Sequence, residues 1–230
     1  DRVKILEDTD NDGSADKVTV FAEGLNLATA IQIDGSGAYI GAAPNLWYMQ
    51  DTNGDDVADT KKVLLTGFGL EDRHELLNSF NWGPDGQMYF TQGVFTQSHV
   101  TDPQNPQRPP VKFNAGIMRY HPADNTVDLF ADGISNQWGV DWDARGNAFV
   151  SACVVEHMWH VVPGGVYIRQ GGIPGWPYAY DLLKQINDHK HYRAAYAGMQ
   201  IYQGGTYPAE YTGTAFMGNI HGNCINQDKL

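Results

Sequence analysis

Short apolar stretches, many alternating with polar residues at period two, recur along the chain between Asp- and Gly-rich turns, a spacing that predicts strands. One unit repeats: a strand, a turn, and a second strand with an aromatic residue at its centre. It occurs as Ile31-Gln-Ile33, Asp34-Gly-Ser-Gly37, Ala38-Tyr-Ile-Gly41, and again as Phe80-Asn-Trp82, Gly83-Pro-Asp-Gly86, Met88-Tyr-Phe-Thr91. The third copy is Val140-Asp-Trp142, Asp143-Ala-Arg-Gly146, Ala148-Phe-Val-Ser151, and a weaker fourth is Tyr211-Thr-Gly213 followed by Ala215-Phe-Met-Gly218. Turn signals at Phe21 to Gly24, Leu65 to Gly67 and Phe130 to Gly133 precede the first three copies, each closing an apolar strand.

The central aromatics Tyr39, Tyr89, Phe149 and Phe216 stand about 50, 60 and 67 residues apart, which suits four-stranded propeller blades with variable loops. A β-sandwich also has short strands at close intervals, but it does not repeat one turn chemistry at blade-like distances. The pattern therefore predicts an all-β chain, a β-propeller of the six-bladed type with about four blades' worth of sequence in a single domain over 1–230. Four modules are too few to close such a ring, so a longer polypeptide is expected. Thr101 to Lys112, with its four prolines, predicts a long loop inside a blade; Asp181 to Lys190 predicts a short helix with Leu182, Leu183 and Ile186 on one face.

Composition agrees. Among 230 residues, 26 are Gly and 11 Pro, with 12 Tyr and 6 Trp, a mixture that favours strands and tight turns. A formal charge of -12 makes nucleic acid and anionic membrane poor partners. No run of about 18 apolar residues predicts membrane insertion. Two cysteines, Cys153 and Cys224, leave their pairing open, and the chain is expected outside the cytoplasm, in the periplasm or an equivalent compartment.

Part of the acidity is concentrated in two loops. Asp8, Asp10, Asp12 and Asp16 put carboxylates at positions 1, 3, 5 and 9 of an EF-hand-type loop, with Gly13 at the turn and the Ser14 carbonyl at position 7. The second loop repeats the order as Asp51, Asn53, Asp55, the Val57 carbonyl and Asp59. Carboxylates so close repel one another unless a cation lies between them, and Ca²⁺ is the expected ion in two structural sites. Position 12 is Thr19 or Lys62 in place of the bidentate Glu, and the flanks read as strands, so each ion would pin a hairpin end.

The densest polar cluster runs from Glu71 through Arg73, His74 and Glu75 to Asn78, just before the second module. Loops between blades line a propeller's funnel, which places His74 well for proton abstraction from a substrate hydroxyl; a surface His in a charged turn is the plainer alternative. Paired carboxylates such as Glu71 and Glu75 acting in hydrolysis have no spacing argument behind them.

Arg73-His74, Trp82-Gly-Pro-Asp-Gly86 and Met88-Tyr-Phe together resemble a segment of the soluble quinoprotein glucose/sorbosone dehydrogenases, and Gly133-Ile-Ser-Asn136-Gln-Trp-Gly139 is similar to their Gly-x-Arg-Asn-Pro-x-Gly segment. A fuller likeness is to the large membrane-bound dehydrogenase proteins of planctomycetes and verrucomicrobia. It is carried by Gly67 to Asn78, His160-Val-Val-Pro-Gly-Gly165, Asp188-His-Lys-His191, Gly198-Met-Gln-Ile-Tyr202 and Gly218-Asn-Ile-His-Gly222. The resemblance implies a periplasmic six-bladed propeller that oxidises a sugar or polyol, with His74 as general base, pyrroloquinoline quinone as cofactor and a c-type cytochrome domain or protein as partner. Ser135 stands where the relatives carry their quinone-binding Arg, and no Cys-x-x-Cys-His for a c-haem occurs.

Arg73, Asn78, Gln137 and Trp138 are the expected substrate or cofactor contacts. His157 and His160 are expected to line the funnel and not to hold a metal; His189 and His191 lack a nameable third ligand. Trp138, Trp142, Trp159 and Trp176 are expected to pack blades or to offer platforms for sugar rings. The sequence thus favours a sugar or polyol dehydrogenase-like propeller passing electrons to a quinone or cytochrome. Its rival is a non-catalytic, calcium-stabilised propeller that binds a glycan or partner protein, which Ser135 favours.

Overall fold

The computed structural model of the chain describes residues 1–171, 179, 181–191 and 195–230. Alternation and turn chemistry produce the predicted architecture, a β-propeller. A hairpin of β1 (Arg2–Glu7) and β2 (Lys17–Glu23) precedes the first blade, which is the antiparallel sheet β3 (Ala28–Asp34), β4 (Gly37–Ala42), β5 (Asn45–Gln50) and β6 (Thr60–Thr66). In the second blade β7 (Asn78–Trp82) and β8 (Met88–Gln92) are followed by an inserted hairpin, β9 (Ser98–Val100) and β10 (Val111–Phe113), before β11 (Gly116–His121) and β12 (Thr126–Ile134). The third contains β13 (Asn136–Trp142), β14 (Ala148–Cys153) and β15 (Met158–Val161). After it comes β16 (Val166–Arg169), and the fourth is β17 (Tyr196–Ile201), β18 (Thr214–Asn219) and β19 (Cys224–Lys229). The first strands β3, β7, β13 and β17 lie side by side in chain order, as the inner strands of successive blades must.

The repeating turns join each first strand to the second. Gly86 (φ 75°) and Gly146 (φ 81°) occupy the left-handed region that only glycine adopts without strain, closing hairpins in which Gly83 N–H donates to Gln87 O and Asp143 N–H to Asn147 O. The repeated aromatics all lie on second strands, and the first three pack at the seams between blades. Tyr39 meets Trp82 and Tyr120 of the next blade at ring separations of 5.6 and 6.0 Å, and Tyr89 meets Trp142 at 4.9 Å. Phe149 packs with Ile201 and Met217 of the fourth blade. Polar staples reinforce the seams: Asp141 accepts from Asn81 of the second blade at 3.1 Å and from the Ile201 amide of the fourth at 2.7 Å.

Several expectations are corrected. Asp181 to Lys190 forms no helix, because its backbone is engaged by the third-blade region: Leu183 N–H donates to Val166 O, Leu183 O accepts from Ile168, and Ile186 N–H donates to Met158 O. The turn signal at Phe130 to Gly133 does not end a strand; β12 runs through it, and β16 leaves the third blade to pair parallel with β12. The proline-rich loop closes earlier than expected, since Val111 and Lys112 belong to β10. Trp142 and Trp159 are buried packing residues, whereas Trp176 lies outside the described residues. Cys153 and Cys224 are both free, and burial pushes the Cys153 thiol up to about 11. Among the described residues no helix is long and apolar enough to cross a membrane.

Candidate functional site

Three clusters of polar side chains stand out: the two Asp-rich loops, the His74 loop, and a group of histidines between the third and fourth blades.

The Asp-rich loops tip the β1–β2 and β5–β6 hairpins and share one scheme of hydrogen bonds. In the first, Asp8 accepts the amides of Asn11 and Gly13, and Asp16 accepts the amide and hydroxyl of Thr9. In the second, Asp51 accepts the amides of Gly54 and Asp56, and Asp59 accepts the amide and hydroxyl of Thr52. Left-handed residues fall at the same two places, Asn11 and Gly13 in one loop and Gly54 and Asp56 in the other. The Gly13 amide lowers the Asp8 carboxyl below the usual range, the Thr9 amide does the same for Asp16, and at Asp51 backbone amides overcome the opposing effect of burial. Asp8, Asp10 and Asp16 bring oxygens within 4.8 Å of one another, while Asp12 and Asp55 also accept amides within their loops. Lys17 joins the two loops, lying 2.7 Å from Glu7 and 3.7 Å from Asp56. Ionised carboxylates at EF-hand spacing with pre-bent backbone are a donor set for a hard cation.

His74 lies in the loop leading into β7. This loop is clamped from beside: Glu75 accepts the Phe95 amide, Glu71 accepts the Gln97 amide at 3.1 Å, and the Thr96 hydroxyl donates to Asp72 O. Glu71 and Glu75 are thus occupied by backbone, and burial holds the Glu75 carboxyl above its ordinary value. The His74 imidazole is 89% exposed, with Nδ1 3.0 Å from Asp72 Oδ1. Trp138, on β13, donates its indole N–H to His74 O at 3.0 Å and to Asn136 Oδ1 at 2.6 Å, so the base candidate and a half-buried aromatic face are brought together. Arg73 is exposed beside them.

Two expected contacts turn inward instead. Asn78 is fully buried, donating to Leu76 O and accepting from Ser79 and Thr91, so it holds the start of β7. Gln137 is also fully buried, donating to Gly133 O at 2.6 Å. Ser135 is buried and donates its hydroxyl to Gln170 at 2.8 Å. A tricarboxylate quinone needs cationic partners; Ser135 itself supplies none, and among the described residues the nearby cation is Arg169, which sits on the strand paired with Ile134 and keeps its Nε buried without a partner.

The remaining sequence candidates separate. His160 stacks on Phe149 at 5.2 Å as a packing residue. His157 is buried and joins residues the sequence reading did not connect: its Nε2 lies 2.7 Å from Asp228 Oδ2, and His191 Nε2 lies 2.7 Å from Asp228 Oδ1. His189 Nε2 lies 3.2 Å from the same Oδ1. Burial opposes ionisation of Asp228, but hydrogen bonds and charge from His157 and His191 win and bring it down to about 2. The legible signal was the pair His189-x-His191, two apart in a loop. Asp228 had none.

A family model described as a domain of unknown function (DUF7133) matches residues 1–230. No curated protein sequence matches the chain. Among solved structures, the PQQ-bound form of an aldose sugar dehydrogenase from Streptomyces coelicolor superposes with a TM-score of 0.61 at 16% identity, covering 95% of this chain and 69% of that one. A glucose dehydrogenase gives 0.65 at 13% identity, covering 100% and 77%. An oxidoreductase of Thermus thermophilus described as a glucose dehydrogenase gives 0.60 at 16%, covering 100% and 73%. At these identities the likeness carries the fold.

Proposed function

The chain belongs to the DUF7133 family over its whole length, and from that premise we propose that it is a calcium-binding, dehydrogenase-like propeller that oxidises a hydroxyl of a sugar or polyol. The observation that carries this reading is the Asp72–His74 pair on an exposed loop beside Trp138, on a fold shared with sugar dehydrogenases. A carboxylate on Nδ1 fixes the tautomer in which Nε2 accepts a proton. The Trp138 ring offers a sugar a stacking face, and Arg73 offers hydrogen-bond donors beside it.

In the reaction the substrate O–H proton passes to His74 Nε2 as the adjacent C–H hydride leaves, so that an alcohol becomes a carbonyl. The hydride passes to a quinone-class acceptor supplied from outside, which takes the proton from His74 and leaves as the quinol, to be reoxidised one electron at a time by a cytochrome. Two Ca²⁺ in the Asp-rich loops hold hairpin ends. Loops without the bidentate Glu suit weak sites filled at extracytoplasmic calcium levels, which supports a periplasmic or similar location. The test is oxidation of aldoses and polyols with soluble quinones and a redox dye. His74→Ala lowers the rate by about 10²–10⁴ with the circular dichroism spectrum unchanged, and Asp72→Asn lowers it less. Absence of oxidation with any acceptor overturns the proposal. It would leave the glycan-binding propeller, which the buried Ser135–Gln170 hydrogen bond favours.

A further inference from the structure

The histidines at the seam between the third and fourth blades converge on one carboxylate. His157, on the β14–β15 turn, His189 and His191, on the segment before β17, and Asp228, on β19, bring one ligand atom each within 4.8 Å of the others. Asp228 has two oxygens for three imidazole Nε2 atoms, and His189 Nε2 lies 3.4 Å from His191 Nε2 as well as 3.2 Å from Asp228 Oδ1. A tetrahedral ion with bonds of about 2.0–2.1 Å separates its ligands by about 3.3 Å; the two His189 spacings are at that distance, and the 2.7 Å contacts of His157 and His191 with Asp228 have to open as an ion enters.

The ring nitrogens are assigned consistently with that use. His189 presents Nδ1 to Asp188 Oδ1 at 3.1 Å; with Nδ1–H donating to that carboxylate, the Nε2 lone pair is left for the cluster. The approach is also fixed from behind. Lys190 pairs with Glu156 at 2.7 Å, while Asn187 donates to Glu156 and to His189 O and accepts the Met158 amide. Glu156 and Asn187 therefore strap the His189–His191 segment onto the turn that carries His157. The floor of the site is dry, with the His157 and Asp228 side chains 2% and 6% exposed, and its lip is open at His189, 48% exposed, so an ion has a route in.

We infer that His157, His189, His191 and Asp228 form a binding site for one first-row divalent transition ion, Zn²⁺ by preference, which clasps the third and fourth blades together. Three imidazoles and a carboxylate are the donor set of a borderline ion and not of Ca²⁺, which takes oxygen ligands. Four protein ligands complete a tetrahedron, the arrangement of a structural site.

The test is metal analysis and titration on the full chain purified without a histidine tag, stripped with EDTA and exchanged into calcium. Zn²⁺ is expected to bind at one equivalent and raise the melting temperature, and Co²⁺ to give the visible absorption of a tetrahedral complex. His189→Ala, at the exposed lip, keeps the fold and weakens Zn²⁺ at least tenfold; Asp228→Asn abolishes binding; His160→Ala, outside the cluster, and His74→Ala leave it unchanged. Failure to take up one equivalent of Zn²⁺, or uptake unaltered by both His189→Ala and Asp228→Asn, overturns the inference. Neither result depends on whether the protein oxidises a sugar.

Discussion

The Asp-rich loops and the histidine seam are both clusters of metal-ligating side chains, but they are encoded in opposite ways. Each loop lies within one nine-residue stretch and is bent by its own amides, as when Asp51 accepts the amides of Asn53, Gly54 and Asp56. The seam draws on residues from 157 to 228, and nothing local aims His157 at Asp228 until two blades have packed. A loop of the first kind is specified by chain geometry; a site of the second kind is specified by the fold. The first should therefore respond to changes in its own residues, and the second to changes in whatever positions its segments.

The largest effect expected from this difference is removal of calcium. An ion that binds only the folded chain stabilises it by about 2.7 kcal/mol at a hundredfold excess over its Kd, so two filled loops raise the melting temperature of a chain this size by about 10–20 °C. Thermal melts before and after chelation, with zinc restored afterwards, measure the loops alone. Ca²⁺ should recover the transition and Mg²⁺ should not, because its small octahedral shell suits these loops poorly. An unchanged melt would remove the calcium half of the comparison.

Within the second loop a smaller effect separates ligand from turn. Asp51→Ala leaves three backbone amides without their acceptor and should lower the melting temperature by about 4–8 °C even without calcium. Asp56 is left-handed (φ 65°) and among the described residues its carboxylate pairs with Lys17 at 3.7 Å, so Asp56→Gly should be neutral or slightly stabilising. If the two variants behave alike, the loop does not work through the amide scheme that makes it legible in sequence.

The same division explains what else the sequence revealed. Tyr39, Tyr89 and Phe149 and the turns ending in Gly86 and Gly146 could be placed because period two and left-handed glycine are properties of a few consecutive residues. In the 181–190 segment the helical spacing of Leu182, Leu183 and Ile186 is overridden by the carbonyls of Val166 and Met158, which take the amides of Leu183 and Ile186 in the fold. Asn78 and Gln137 looked like ligand contacts because polarity was visible and burial was not; both are fully buried. His74 is legible as a candidate base from its polar neighbours, but that Asp72 and not Arg73 or Glu75 reaches Nδ1 is set only in the folded loop.

The smallest effect tests how the seam is held. Lys190 is 75% exposed, and its pair with Glu156 contributes less than about 1 kcal/mol to stability, so Lys190→Ala should leave the melting temperature within about 2 °C of the parent. Its effect on zinc should be visible all the same. Lys190 lies between the two histidines and is held on Glu156 while His189 and His191 both reach Asp228, so the anchor helps fix how the stretch presents them. Losing that anchor frees a segment whose ordering must then be supplied on binding, and affinity should fall about two- to fivefold. Asn187→Ala, which cuts the contacts to Glu156, His189 O and the Met158 amide, should cost more than Lys190→Ala by the same zinc titration. Zinc affinity indifferent to both variants would mean that the seam, like the Asp loops, is set by its ligands alone, and the contrast between the two regions would fail.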